Sequence, residues 1–455
     1  MIFLNPLWVK RLCGLVLTFL LLGIASWTSA LELSLVPDQL RYTAGSVLQL
    51  PKLPYTTVHT SNAEVLSIQP SHEPETASAF SFQTNRTGMA ALEVKLFDRL
   101  PIKTVRVDVL PDIQLVPGGQ SIGVQLKSAG VMVVGHHQFE NTALQQVSPG
   151  KNADIQVGDL ILRLNGKPIA SAEEFTRKIQ AAGERQEALQ LELLRGKERL
   201  HVQVEPVKNR LSGKFQIGLF VRDSAAGVGT LTFYHPEKKV YGALGHIITD
   251  NDTQKPVIVG GGQILLSHVS SIQRGESGTP GQKRAFFYHD KPIGNIEKNT
   301  PFGIFGRMDR LPDNGYTTEP MPVAYSEDVK KGPAEILTVV EGEKVEKYQI
   351  EIVDVFPQRY PATKGMIIRV TDPKLLQKTG GIVQGMSGSP IIQDGCLVGA
   401  VTHVFVNDPT SGYATFIEWM LRDAGLIPGD SGTDETSPNF FDEEKENFIA
   451  CRSVM

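Results

Sequence analysis

The feature that most constrains this chain is the run Gly385-Met386-Ser387-Gly388-Ser389-Pro390. Glycines flanking a serine permit a tight turn whose backbone amides converge on one point. Pro390-Ile391-Ile392 begins a strand at once, Asp394-Gly395 turns it, and Leu397-Val398-Gly399-Ala400-Val401-Thr402-His403 returns as its partner. A glycine loop that opens straight into a β-hairpin belongs to a sheet or barrel rather than a helical bundle. The wider pattern agrees. The chain holds 43 Gly and 28 Pro, which punctuate short strand-like runs such as Val228-Gly229-Thr230-Leu231-Thr232-Phe233 and Met366-Ile367-Ile368-Arg369-Val370. Residues 208–428 therefore read as a barrel or pair of barrels, closed by a helix around Glu418-Trp419-Met420-Leu421-Arg422 that stops near Gly425 and Pro428.

At 455 residues the chain exceeds one hydrophobic core, since a domain takes roughly 100–200 residues. With 45 basic and 49 acidic side chains, the net charge of −4 offers no footprint for nucleic acid. Cys13, Cys396 and Cys451 are too few for a disulfide framework, and no Cys/His spacing suggests a metal site, so neither metal nor cofactor is expected. Lys10 and Arg11 precede an apolar run from Leu12 to Ala25, and Thr28-Ser29-Ala30 suits a cleavage site. Residues 1–30 thus read as an export segment, either removed or kept as a membrane anchor through 12–27.

Three further regions follow from patterning. Residues 31–111 alternate apolar and polar side chains, as in Val105-Arg106-Val107-Asp108-Val109, and read as a small β domain, a sandwich serving as spacer or interaction module. Residues 112–207 present a glycine loop, a strand, Asn165-Gly166 as a hairpin turn, Ser171-Ala172-Glu173-Glu174 as a capping box, and a strand pair about Arg195-Gly196-Lys197. This order resembles a PDZ domain. Such domains bind peptide C-termini or internal segments as an added edge strand, and the amides of Ser121, Ile122, Gly123 and Val124 are expected to receive the peptide carboxylate. Internal packing is the competing use. The acidic stretch 429–455 is rich in Ser, Thr, Gly, Asp and Glu and reads as disordered.

A serine hydroxyl needs a base and donors for the developing oxyanion before it attacks a carbonyl. Gly-x-Ser-Gly-x-Pro supplies the donors in chymotrypsin-like peptidases. Ser387 is then the nucleophile, with the backbone amides of Gly385 and Ser387 as the oxyanion hole. His246, in Gly245-His246 at the end of an apolar strand, is the chosen base, with His235, His268 and His289 as competitors. A carboxylate should hold the imidazole tautomer. Asp372 is the choice, although an Asp-Pro pair is also a common turn, and Asp309, Asp313 and Asp354 remain open. Trypsin-like zymogens place an Asp just before the serine to receive a new N-terminus, and Met386 cannot do this. Thr402, on the strand after the hairpin turn, is expected to contact substrate.

Together these pieces resemble the stage IV sporulation protein B family, serine peptidases of endospore-forming bacteria. The likeness rests on the export segment, Lys95-Leu96-Phe97-Asp98-Arg99-Leu100-Pro101, the Pro117-to-Val124 loop, Gly245-His246 and the Gly385-to-Pro390 box. It implies a mostly β protein, with a chymotrypsin-like double barrel preceded by a PDZ domain. It implies Ser387, His246 and Asp372 as the catalytic set. It further implies export across the forespore inner membrane, self-cleavage, self-association through the PDZ domain, and limited cleavage of a regulatory subunit of an intramembrane protease complex that processes pro-sigma-K. Two other readings stand beside it: an HtrA-like envelope quality-control protease, in which the protease precedes the PDZ modules, and a PDZ scaffold with a dead barrel.

Overall fold

The computed structural model describes residues 36–51, 55–69, 79–313, 315–358 and 360–428. The export segment with its cleavage site, the tail 429–455, Cys13 and Cys451 lie outside the described residues. The chain divides into two compact units, Met1–Ile113 and Gln114–Met455.

In the first unit, Gly88–Leu96 buries every second side chain, Ala90, Leu92 and Val94, as period-two alternation requires. It pairs with Leu100–Leu110 and Thr56–Thr60, and Gln39–Thr43 adds in parallel to Leu100–Leu110. A second sheet joins Val47–Pro51, Ala79–Thr84 and Leu66–Ile68. Leu48, Leu50, Leu66 and Phe82 from that sheet meet Leu92, Val94, Val105 and Val107 from the other. Each such burial contributes roughly 1.5–3 kcal/mol, which is what holds two thin sheets together. The chain between the first two strands turns at Thr43-Ala44-Gly45, with Gly45 at a φ of +90°.

Two long strands organise the second unit. Ser121–His136 and Leu219–His235 run antiparallel, from the pair Ser121↔Thr230 to the pair His136↔Leu219. At one end they carry the region expected to be PDZ-like. Leu160–Leu164 adds beside Val131 and Met132, then Leu189–Arg195 and Glu198–Val204 follow outward. Helix Ala172–Glu184 covers this end, packing Phe175, Ile179 and Ala182 on Val131, Val133, Leu189 and Leu191. Its start is set by Ser171, whose hydroxyl accepts from Glu174 N at 3.1 Å. Asn165 and Gly166 both take positive φ, as a tight hairpin turn demands.

At the other end the same two strands build half of the second region. Val240–Ala243 and Gly303–Arg307 extend the sheet from the His235 end. Val259–Gln273 lies on the far side of Ser121–Ser128 and pairs with Gln282–Asn295. The result is one thirteen-stranded sheet. The sequence boundary between 207 and 208 therefore falls inside a continuous structure, because each organising strand serves both regions. Six further strands form a closed barrel in the order Gly332–Thr338, Glu346–Val355, Met366–Val370, Ser411–Phe416, Cys396–Val404, Pro390–Gln393. Pairing of Ile336 with Ile391 closes the ring, and helix Ile417–Asp423 follows the last strand.

Candidate active site

Ser387 lies in the turn that feeds barrel strand Pro390–Gln393. Gly385 and Gly388 hold φ of +95° and +93°, a region that side-chain-bearing residues rarely enter. Gly388 is also required by space, since a Cβ there would stand 2.1 Å from Thr230 O and 2.4 Å from Leu244 N. Within the turn, Met386 N donates to Val383 O at 3.0 Å, Gly388 N to Val401 O at 2.7 Å and Ser389 N to Met386 O at 2.9 Å. The amides of Gly385 and Ser387 donate to no acceptor among the described residues. Two unoccupied amides flanking one residue are the arrangement an oxyanion needs. Met386 between them is fully buried and carries no charge.

The Ser387 hydroxyl is half-buried and donates to Thr402 O at 2.8 Å. The Thr402 side chain corrects its sequence assignment. It is 2% exposed and its hydroxyl donates to Tyr413 O at 3.0 Å, so it faces the barrel and presents nothing to a substrate. What Thr402 offers the site is its carbonyl.

His246 follows strand Val240–Ala243 through Leu244 and Gly245, both at positive φ. Leu244 N donates to Thr230 O at 3.2 Å, and Gly245 lies against the Thr402 methyl. These contacts bring the His246 turn to the Thr402 strand, beside the Ser387 loop. His246 Nδ1 sits 2.9 Å from Ile247 O. A carbonyl can only accept, so the proton belongs on Nδ1 and the lone pair on Nε2. The His246 ring faces His403 at 5.1 Å. Desolvation, then the neighbouring His246 and Lys364, hold the His403 imidazole below the ordinary histidine range.

The competing histidines make other contacts: His235 with its own turn through Lys238 N, His268 with Glu343, His289 with Gln125. Among the competing acids, Asp309 pairs with Lys239 and Asp354 with Lys331, and Asp313 accepts from Gly315 N.

Asp372 takes a role other than the one expected. It is the N-cap of helix Pro373–Thr379. One carboxylate oxygen accepts from Lys374 N at 2.9 Å and Leu375 N at 3.0 Å, and the other faces Gln349 N at 3.3 Å. Both oxygens are engaged with backbone, and the Asp-Pro pair is a helix start.

The expected carboxylate-binding loop is also reassigned. Ser121, Ile122, Gly123 and Val124 are buried in a strand paired on both sides from Ile122 onward, with Gly227–Gly229 and with Ile264–Leu266. Ser121 Oγ meets Ser267 Oγ at 3.0 Å. No peptide strand can add where both edges are taken. In the PDZ-like end, Leu219–Arg222 pairs only with Met132–His136 among the described residues. Its other edge runs beside helix Ala172–Glu184, tied at one end by Phe215 N to Gln180 Oε1 and at the other by Ala172 N to Asp223 Oδ2, both 2.9 Å. Ile217-Gly218-Leu219, with Gly218 at +77°, is the glycine turn that enters this edge.

Residues 213–421 match the family model described as SpoIVB peptidase S55, and residues 121–205 match that of the PDZ domain. The matched segment 213–421 is thereby read as a SpoIVB S55 peptidase domain, with the PDZ domain before it. The chain is a serine endopeptidase with a PDZ domain in a mostly β fold. The S55 match begins just before Leu219–His235 and covers the whole closed barrel. Among solved structures, the active form of Rv3671c protease from M. tuberculosis is similar at 16% identity over 46% of this chain and 78% of that one, with a TM-score of 0.28. Human heparin binding protein is similar at 12% identity over 40% and 72%, with a TM-score of 0.21. Likenesses of that size carry no argument about the site. No curated protein matches the chain.

Proposed function

We propose that Ser387 is the nucleophile and His246 its general base. The observation that carries this is the Ser387 turn, whose Gly385 and Ser387 amides meet no acceptor among the described residues. On substrate binding the hydroxyl leaves Thr402 O for His246 Nε2, which takes its proton as Oγ attacks the scissile carbonyl. The tetrahedral oxyanion forms against the two amides. The imidazolium then protonates the leaving amine, and water repeats the sequence to release the acyl group. Ile247 O holds the tautomer in this scheme, so no step passes through Asp372.

The family and the PDZ domain support a signalling role over general proteolysis. In this reading the enzyme is exported across the forespore inner membrane. It cleaves itself and the regulatory subunit of an intramembrane protease complex, which frees the processing of pro-sigma-K. The Leu219–Arg222 edge receives a peptide segment of the target or of a second copy. Among the described residues no helix is long and apolar enough to cross a membrane. Membrane association would rest on residues 12–27. The test is co-expression of a membrane regulator of this kind with wild type, Ser387→Ala and His246→Ala. Cleavage by wild type alone is expected, and equal cleavage in all three would remove the assignment.

A further inference from the structure

Behind the Ser387 turn lies a strand that no catalytic reading has used. Thr230 and Thr232, in Leu219–His235, are both 0% exposed. Valine would fill these buried strand positions equally well, so their hydroxyls need a reason. Each finds an acceptor in the Ser387 turn. Thr230 Oγ1 donates to Gly385 O and Thr232 Oγ1 to Gly388 O, both at 2.8 Å. The Thr230 backbone adds two contacts of its own. Its N–H donates to Ser387 O at 2.9 Å, and its carbonyl accepts from Leu244 N at 3.2 Å, two residues before His246. A register shift between Leu231 and Phe233 makes Thr232 an extra residue against Val240–Ala243, the kind of bulge that re-aims a side chain.

We infer that Thr230, assisted by Thr232, is a positioning residue that restrains the Ser387 oxyanion amide and locks the Ser387 turn to the His246 turn. The inference rests on the Ser387–His246 reading above. Its logic is geometric. The Gly385 carbonyl shares a peptide unit with Met386 N and the Ser387 carbonyl one with Gly388 N, so these two units flank the Met386–Ser387 unit that carries the Ser387 amide. Holding the carbonyls of Gly385 and Ser387 restrains how the Met386–Ser387 plane between them is rotated, and the bond to Gly388 O holds the unit after it. A peptide flip in this loop would turn an oxyanion donor away from the substrate while leaving Ser387 in place. Gly385 and Gly388 have little intrinsic barrier against such a flip, and a restraint from outside the loop adds to the turn's own Ser389 N to Met386 O bond. Thr230 supplies it and, through Leu244, applies the same restraint to the base. The residue touches neither substrate nor the reacting hydroxyl.

The prediction separates kcat-type from KM-type effects. Full-length wild type, Thr230→Val, Thr230→Ser, Thr232→Val and Ser387→Ala would be treated with a fluorophosphonate, and the modified residue mapped by peptide mass. Thr230→Val keeps volume and removes the hydroxyl. It should lower the maximal labelling rate at Ser387 by ~10–100-fold, short of the 10²–10³ seen when an oxyanion donor is removed outright, with the half-saturating probe concentration unchanged. Thr230→Ser should restore most of the rate. Thr232→Val should lose less, because it leaves the Leu244 link untouched. Should Thr230→Val fail to fold, the Thr232→Val rate and the folded Thr230→Ser rate still decide: wild-type labelling in Thr232→Val, or a large loss in Thr230→Ser, overturns the inference. Wild-type labelling in a folded Thr230→Val overturns it while leaving Ser387 as nucleophile. Labelling that persists in Ser387→Ala removes the underlying reading and the inference together.

Discussion

The closed barrel from Gly332 to Phe416 has neighbours on both sides of every strand, whereas the thirteen-stranded sheet ends at Glu198–Val204 and leaves Leu219–Arg222 paired on one side. Closure removes edges and with them most freedom to shift. Ser387 belongs to the barrel, and His246 belongs to the sheet, which runs on into the PDZ domain. The two halves of the proposed chemistry are thus mounted on parts of unequal rigidity. The contacts joining them at the Ser387 turn come from a few residues: Thr230 and Thr232, Leu244 against Gly388, and Lys283 against Gly385. The site is therefore assembled at a seam rather than prebuilt in either part. Changes at the seam should therefore cost more than equally buried changes within the barrel.

Gly388→Ala tests the seam most severely. The new methyl must enter space held by Thr230 O and Leu244 N, at a φ of +93°. Displacement by even ~1 Å costs on the order of 100-fold in rate. Fluorophosphonate labelling of Ser387 should fall at least that far while the barrel still unfolds cooperatively. Near-normal activity would mean the seam is slack.

Lys283 is the second seam residue. It is 1% exposed, its stem lies against Gly385, and its ammonium donates to Thr338 Oγ1 of the barrel at 2.9 Å. Burial pulls its pKa down to about 7. In the unfolded chain a lysine titrates near ~10.4. Between those values the unfolded state holds a proton that the folded state has released, so this residue makes stability rise with pH from about 7 to ~10 and contributes no slope below. Lys283→Met should remove that slope in thermal unfolding. It should also stabilise the protein at pH 7 by roughly 2–4 kcal/mol, since a buried charge is replaced by an apolar side chain. An unchanged slope would show that the ammonium reaches water.

The smallest effect belongs inside the barrel. Asparagine caps a helix about as well as aspartate. Asp372→Asn keeps the cap but loses the acceptor facing Gln349 N, so activity should stay within ~threefold of wild type and stability within about 1 kcal/mol. A loss near ~10⁴-fold, the cost of removing a triad carboxylate's charge, would return Asp372 to the proton relay.

Much of this was legible in the residues. The Gly385-to-Pro390 turn and its hairpin are local features, and glycine, proline and strand patterning determine them within a few residues. The Ser171 cap and the Asn165-Gly166 turn were readable for the same reason. The closing helix was placed by its apolar face and by Gly425. Asp372 misled because a helix cap and a catalytic acid look alike before a proline, and only the amides it meets distinguish them. Ser121–Val124 misled because a glycine-led strand can be an edge or a centre, and the neighbours that bury it, Gly227–Gly229 and Ile264–Leu266, are remote in sequence. The Ile217-Gly218-Leu219 turn carried the same signal and fell across an assumed boundary. Thr230 and Thr232 left a faint trace, hydroxyls alternating with apolar residues in a strand. Nothing around Lys283 in the sequence announced its burial.

The most direct test of the account is fluorophosphonate labelling of the full chain, followed by peptide mapping. The account predicts one modified residue, Ser387, and no labelling of Ser387→Ala. Labelling that persists in that variant, or a folded wild type that cleaves the membrane regulator without being labelled, would contradict it.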